Sequence, residues 1–460
     1  MHTLRFIPIA LLATTVASAQ QQPTIRQLGP VVAKSTIFAS PRLTVRALPG
    51  GRLLVNDLAG RKVVMLDSTL SNATVVADTT SATANAFSGR VGGLIAYRGD
   101  SSLFVDPQAM SMLLIDPQGK VGRVLSVPRS QDAMMLSGVQ GTPAFDASGK
   151  LVYRAPPNFG MPQFGPNGPV GMPTPPESSA VVRVDLATRK IDTVAFVKIP
   201  KMNVQMTNDN GRISISMQTN PLPVVDEWTV LSDGSVAIVR GRDYHVDWIN
   251  ADGSKTSSAK IPFEWQRLTD EDKVAFIDSV KAARARMIAA NQANQAAGVE
   301  AKAAGMAQGG QSGDKKGGPQ PGAQGEGQTR RQVVDGNTFT AGAPGEGRMV
   351  IQTGPGGPGA GGGLGPNINF VSPSELPDYK PPFFTNSVKS DMEGHIWIQT
   401  IPTRQIPGGP VYDVINAKGE LVERVQVPTG RTIVGFGAGG AVYLASRDGT
   451  TTTFERATVK

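Results

Sequence analysis

Two short polar clusters in the middle of the chain hold the residue types best suited to gripping an anionic or carbohydrate group. The first is Asp226-Glu227-Trp228 and the second is Arg240-Gly241-Arg242-Asp243-Tyr244. A guanidinium fork clasps a carboxylate or phosphate through two hydrogen bonds, and an aromatic ring offers a flat apolar face with a polar tip. The candidate ligand-binding residues are therefore Asp226, Trp228, Arg240, Arg242 and Tyr244, with Arg90 from farther upstream. The same charges also fit a bent, solvated loop, and the sequence leaves both readings open.

Other chemistries find less support. The chain has no cysteine, which excludes disulfides, thiol catalysis and thiolate metal sites. Of its three histidines, His245 and His395 lie beyond the N-terminal leader, each in a strand pattern, and they read as structural. There is no G-x-S-x-G elbow and no EF-hand loop. Asp252-Gly253 and Glu393-Gly394 are ordinary turn pairs. Gly354, Gly356 and Gly359 match G-x-G-x-x-G, as do Gly435, Gly437 and Gly440. A dinucleotide site needs that turn between a strand and a helix, and neither match has that setting. No cofactor is identified. A divalent metal held by carboxylates and amides from several parts of the chain stays open.

The elements that must position these residues repeat. A Gly-centred turn followed by β-branched and aromatic residues recurs six times, at residues 48–56, 98–106, 145–153, 231–239, 390–398 and 436–444. Each copy is a hairpin signature. Leu53, Leu103, Leu151, Val236, Ile396 and Val442 are read as equivalent, with steps of 50, 48, 85, 160 and 46 residues. Three steps match the ~40–50 residues of a four-stranded propeller blade, and the long ones contain insertions. A second hairpin follows most copies, for example over residues 112–127, 246–261 and 412–427. Two hairpins make four strands. The sixth unit ends after its third strand, so residues 24–28 are expected to supply the missing outer one and close the ring.

These turn-plus-strand pieces carry a family resemblance. GHIW at Gly394–Trp397, NADG at Asn250–Gly253 and NAKG at Asn416–Gly419 resemble the blades of bacterial secreted six-bladed β-propeller proteins of the NHL/TolB-like kind, over roughly residues 24–265 and 380–460. The resemblance implies an all-β six-bladed propeller closed by an N-terminal strand. Some such propellers are lyases or metal-dependent lactonases, with acidic, Asn and His residues drawn into the central channel. The lyase type depends on clustered histidines, which His245 and His395 do not match. Propellers host many unrelated functions, so the resemblance leaves the activity open.

Four stretches do not fit the blades: residues 155–178, 201–225, 263–384 and 401–409. In a blade whose strands alternate direction, all four emerge at one end of the ring, while the tight turns lie at the other. That crowded end is the expected site, because loops on rigid scaffolds carry function. The domain plan is a leader over 1–19, blades one to four with the closing strand over 20–265, an insertion over 266–379, and blades five and six over 380–460. The insertion is expected to hold a helix over 269–294, capped by Thr269 and Asp272, then a Gly-rich disordered tract over 298–365.

Residues 1–19 read as a signal peptide, with Arg5, an apolar core over 7–16, and an Ala17-Ser18-Ala19 cleavage site. The core is too short for a span of ~20 apolar residues. A periplasmic or extracellular monomer with no transmembrane segment is expected. Residues 20–62 carry seven basic residues against Asp57 alone, which suits an anionic partner or a solvated surface. Nucleic acid is disfavoured, since Phe38 is the single aromatic there. The leading functional reading is an exported, non-catalytic binding or scaffold module for a protein, peptide or carbohydrate. A channel-sited metal-dependent hydrolase or lyase and an envelope structural protein are the alternatives.

Overall fold

The structure, a computed structural model, describes residues 23–80, 85–89, 91–160, 163–165, 168–171, 174–209, 212–250, 252–308, 338–341, 349–352, 369–404 and 406–459. The expected signal peptide lies outside the described residues.

Six four-stranded antiparallel sheets succeed one another along the chain as the blades of a propeller. Blade one is Leu43–Ala47, Leu53–Asp57, Lys62–Leu66 and Ala73–Asp78. Blade two is Gly93–Ala96, Ser102–Asp106, Ser111–Ile115 and Val121–Ser126. Blade three is Ala144–Phe145, Leu151–Arg154, Ser178–Val184 and Ile191–Lys198. Blade four is Glu227–Val230, Val236–Arg240, His245–Ile249 and Lys255–Ser257. Blade five is Phe383–Ser390, Ile396–Thr400, Val411–Ile415 and Leu421–Gln426. Blade six is Arg431–Gly437, Ala441–Asp448, Thr451–Thr458 and, from the N-terminus, Val31–Ser35.

The second strand of each blade is covered on both faces by its neighbours, so it reads as a near-continuous apolar run rather than an alternating one. Leu53–Asp57 and Ser102–Asp106 are buried throughout, whereas the outer strand Val121–Ser126 is mostly exposed. The apolar cores are sandwiched between successive blades. Leu54, Leu94 and Phe104 join blades one and two, and Val239, Tyr244, Ile396 and Ile415 join blades four and five. Tight turns are built alike. Asp146, Asp391 and Asn416 each cap backbone N–H groups two and four residues ahead. Gly149, Gly394 and Gly419 supply the left-handed residue, at φ of 74°, 85° and 80°.

Strand register corrects the repeat alignment in blade two. Ala47 pairs with Leu53, and Ala96 with Ser102, so Ser102 rather than Leu103 is the counterpart of Leu53. In blade six Val442 pairs with Phe436 across a five-residue loop, as Leu53 pairs with Ala47, so Val442 keeps its place in the alignment. Closure also differs in detail. The N-terminus does close the ring, but the closing strand is Val31–Ser35, antiparallel to Thr451–Thr458. Ile25–Gln27 instead lies parallel on the outer strand of blade five, opposite Arg424, Val425 and Gln426.

The insertion contains the expected helix. Its helix runs from Asp270 to Gln308 instead of fraying near Asn294. Thr338–Ala341 and Met349–Gln352 pair as strands inside the tract expected to be disordered, and the rest of that tract lies outside the described residues. Asn203–Asp209 and Arg212–Thr219 form a hairpin, which Met349–Gln352 and Asn369–Phe370 extend by parallel pairing. Leu222, Ile277, Val371, Leu376 and Ile401 share one apolar cluster. Three of the four insertions therefore meet. A feature absent from the sequence reading is a short helix, Ala133–Leu136, between blades two and three. Among the described residues no helix is long and apolar enough to cross a membrane.

Candidate functional site

The candidates of blade four are placed by its second and third strands. Arg240 ends the second strand, the turn 241–244 follows, and His245 opens the third. Arg240 is tied into the fold. Its Nε donates to Asp247 Oδ2 at 2.7 Å, and its Nη1 donates to Asp226 Oδ2 at 2.8 Å and to Phe196 O at 2.9 Å. Asp226 Oδ1 accepts from Gly241 N at 3.2 Å, and Asp226 Oδ2 from Lys198 N at 3.0 Å. This network joins the outer strand of blade three to blade four. Burial opposes the charge on Asp247, but hydrogen bonds from Ser257 and Arg240 outweigh it and hold the carboxyl below its usual range.

His245 belongs to the same network. Its Nδ1 lies 2.8 Å from Asp243 Oδ1, and its Nε2 lies 3.2 Å from Asp247 Oδ1. The sequence reading missed these partners, although residues two apart on a strand share a face.

The other candidates separate. Trp228 is buried and donates its indole N–H to Gln140 O at 3.0 Å. A Cβ on Gly141, at φ 96°, would lie 2.6 Å from that indole nitrogen, so only glycine fits there. Tyr244 is fully buried and donates to Asp413 Oδ2 of blade five at 2.9 Å. Arg242 is exposed on the turn. Arg90 lies outside the described residues.

Sequence reasoning passed over the charges nearest the axis. Glu227 opens the inner strand of blade four and is only 1% exposed. Its Oε1 accepts from Asn386 N at 2.8 Å. Asn386 sits in a bulge of the inner strand of blade five, at φ 60°, a conformation that L-residues rarely hold. Burial pushes the Glu227 carboxyl up to about 7, against the pull of the Asn386 N–H and the Arg154 charge. Arg154 ends the second strand of blade three, beyond the reach of its two-residue inner strand, Ala144–Phe145. It is 6% exposed, and its Nε has no hydrogen-bond partner among the described residues. Burial lowers its pKa, and Glu227 raises it. Lys389, on the inner strand of blade five, is likewise lowered by burial and raised by Glu227.

Three cationic or acidic groups thus share one field without forming a close ion pair among themselves. A buried guanidinium that lacks a carboxylate partner suits an anionic ligand. No three His, Asp or Glu side chains among the described residues gather to hold a metal ion.

No protein-family model matches the chain, and no curated protein matches it. Similar solved structures include a gluconolactonase from Xanthomonas campestris, 11% identical, covering 95% of this chain and 95% of that one, with a TM-score of 0.37. A member of the DUF4221 family from Bacteroides vulgatus is 10% identical, with 96% and 99% covered and a TM-score of 0.43. TolB from Acinetobacter baumannii is 11% identical, with 90% and 63% covered and a TM-score of 0.31. At these identities the likeness is one of fold. The six-bladed ring, of the arrangement seen in NHL/TolB-like propellers, rests on the strand pairing above.

Proposed function

We propose that this propeller is an exported binding module that takes an acidic carbohydrate at the insertion-bearing mouth of its central channel. The observation that supports this most is Arg154, a buried guanidinium with an unpartnered Nε beside Glu227. Arg154 and Lys389 supply positive potential for a carboxylate. Glu227 accepts from sugar hydroxyls when ionised and donates when protonated, and its carboxyl near 7 gives access to both states. Arg242, exposed on the turn, serves as a rim contact, and the Arg240 network fixes that turn.

The test is calorimetric titration of galacturonate and its trimer into the full chain. Saturable binding is expected, weakened about tenfold or more in Arg154→Met, as loss of a charged hydrogen bond implies. Absence of binding, or equal binding by the variant, would overturn the reading.

A second reading, a hydrolase or lyase in the same channel, is favoured by Glu227 itself. A carboxyl near neutrality is suited to proton transfer at neutral pH. Turnover of the trimer to smaller sugars, abolished in Glu227→Gln, would replace the binding module with an enzyme.

A further inference from the structure

The insertion helix, Asp270–Gln308, docks through a stripe that begins in its first turns. Lys273 Nζ donates to Asp378 Oδ1 at 2.8 Å, and Ile277 is buried with Leu222, Val371, Leu376 and Ile401. Lys281, Arg284 and Ile288 continue that stripe, since residues three and four apart share a helix face. Past Ile277 the stripe leaves the core and borders a groove of about 560 Å³. Lys281, Arg284 and Ile288 form one wall, and Gln218, Asn369 and Phe370 form the other. Gln218 lies beside Asn369, where strand Asn369–Phe370 runs parallel to the end of Arg212–Thr219. Val371 N donates to Thr219 O at 3.2 Å, and Phe370 packs against the Ile277 cluster. Both walls are therefore anchored in the same apolar core.

The groove is polarised in charge. Among the described residues no carboxylate lines it. From Ser279 to Val299 the sequence holds Lys281, Arg284 and Arg286 and no acidic residue, whereas Asp270, Glu271, Asp272 and Asp278 precede that stretch. Asp278 Oδ1 lies 3.5 Å from Lys281 Nζ, but both side chains are exposed and such pairs are weak. Arg284 is half-buried, and burial lowers its pKa, a penalty that a bound anion offsets. A guanidinium fork grips a carboxylate through two hydrogen bonds, an ammonium adds a point charge, and the amides of Gln218 and Asn369 can donate as well. The volume lies within the ~300–1,000 Å³ of small-molecule sites, which set a few polar groups among apolar walls. A bare ion would leave Ile288 and Phe370 uncovered, so the fitting ligand has an apolar body.

We propose that this groove binds an organic anion built of a carboxylate and an aromatic or aliphatic body. The carboxylate lies between Lys281 and Arg284, and the body lies along Ile288 and Phe370. The groove shares no lining residue with the Arg154 site, so the proposal does not depend on the function proposed there.

The probes are 2-naphthoate, its neutral amide 2-naphthamide, and acetate, each titrated calorimetrically into the full chain. Saturable binding of 2-naphthoate is expected, at least about tenfold tighter than that of the amide or of acetate. Arg284→Gln should weaken it about tenfold or more, Lys281→Gln severalfold, and Ile288→Ala severalfold. Arg286 is exposed and does not line the groove, so Arg286→Gln should leave binding unchanged and exclude a general effect of charge. Arg154→Met should also leave it unchanged, which separates this groove from the channel. Both cations sit on the helix surface, so their variants should fold, and each variant's melt checks this. No saturable binding of 2-naphthoate, equal binding of 2-naphthamide or acetate, or binding that survives Arg284→Gln would overturn the proposal. Loss of binding in Arg154→Met alone would move the ligand to the channel and overturn it too.

Discussion

Tyr244 of blade four donates its hydroxyl to Asp413 of blade five at 2.9 Å, and both side chains are buried. Burial raises the Asp413 carboxyl, while Arg424 and Tyr244 pull it down. Arg424 Nε lies 3.0 Å from Asp413 Oδ1. The Tyr244 bond crosses the seam between blades four and five. Tyr244→Phe keeps the ring and removes one donor, so it should cost about 1–3 kcal/mol in denaturant unfolding. A variant as stable as the parent would show that Arg424 alone satisfies Asp413.

Ring closure makes a graded prediction. Val31–Ser35 completes blade six through pairs such as Lys34 with Glu455 and Ser35 with Phe454. Ile25–Gln27 only extends blade five. Deletion through Leu28 should lower the melting temperature slightly. Deletion through Thr36 exposes the edge of Thr451–Thr458 and should lower it by about 5 °C or more, at about 2–4 °C per kcal/mol. Equal effects of the two truncations would contradict the assignment.

Arg240 and Arg242 should behave oppositely. Arg240 holds Asp226, Asp247 and Phe196 O together, so Arg240→Ala leaves two carboxylates without their cation. A loss of about 2–4 kcal/mol is expected in urea unfolding. Arg242 is exposed, so Arg242→Ala should leave stability within about 0.5 kcal/mol and reduce galacturonate binding. Unchanged binding in that variant would remove Arg242 from the rim.

The ring was legible in the sequence because its second strands are covered on both faces. Burial on two sides forces runs such as Leu53-Leu54-Val55 and Ile396-Trp397-Ile398, and Gly-centred turns punctuate them. Register was less legible. Ser102 precedes Leu103, and apolarity alone favours the leucine, whereas backbone pairing selects the serine. The closing strand was offset because residues 24–28 and 31–35 are both short and β-prone, and their partners lie at the far end of the chain. The inner charges were hidden for the same reason. Arg154 and Glu227 come from different blades, and only the packing of blade three against blade four gives them a common field. The His245 network carried a usable local signal, the alternation Asp243, His245, Asp247.

Glu227 sets a pH dependence whose sign can be worked out. Its folded carboxyl sits near 7, above the ordinary value of 4.5. The folded state therefore holds its proton more tightly than the unfolded chain does. Between those values the folded state binds more protons, so stability falls as pH rises. The contribution is complete below pH ~4.5 and is lost as pH rises through ~7, on the order of 3 kcal/mol in all. Glu227→Gln keeps the shape and the acceptor for Asn386 N–H but cannot ionise. The parent should thus lose melting temperature relative to Glu227→Gln between pH 5 and pH 8, by about 2–4 °C per kcal/mol. Parallel melting curves for the two proteins across that range would show that Glu227 is ionised in the fold throughout, with Arg154 and Lys389 carrying its charge.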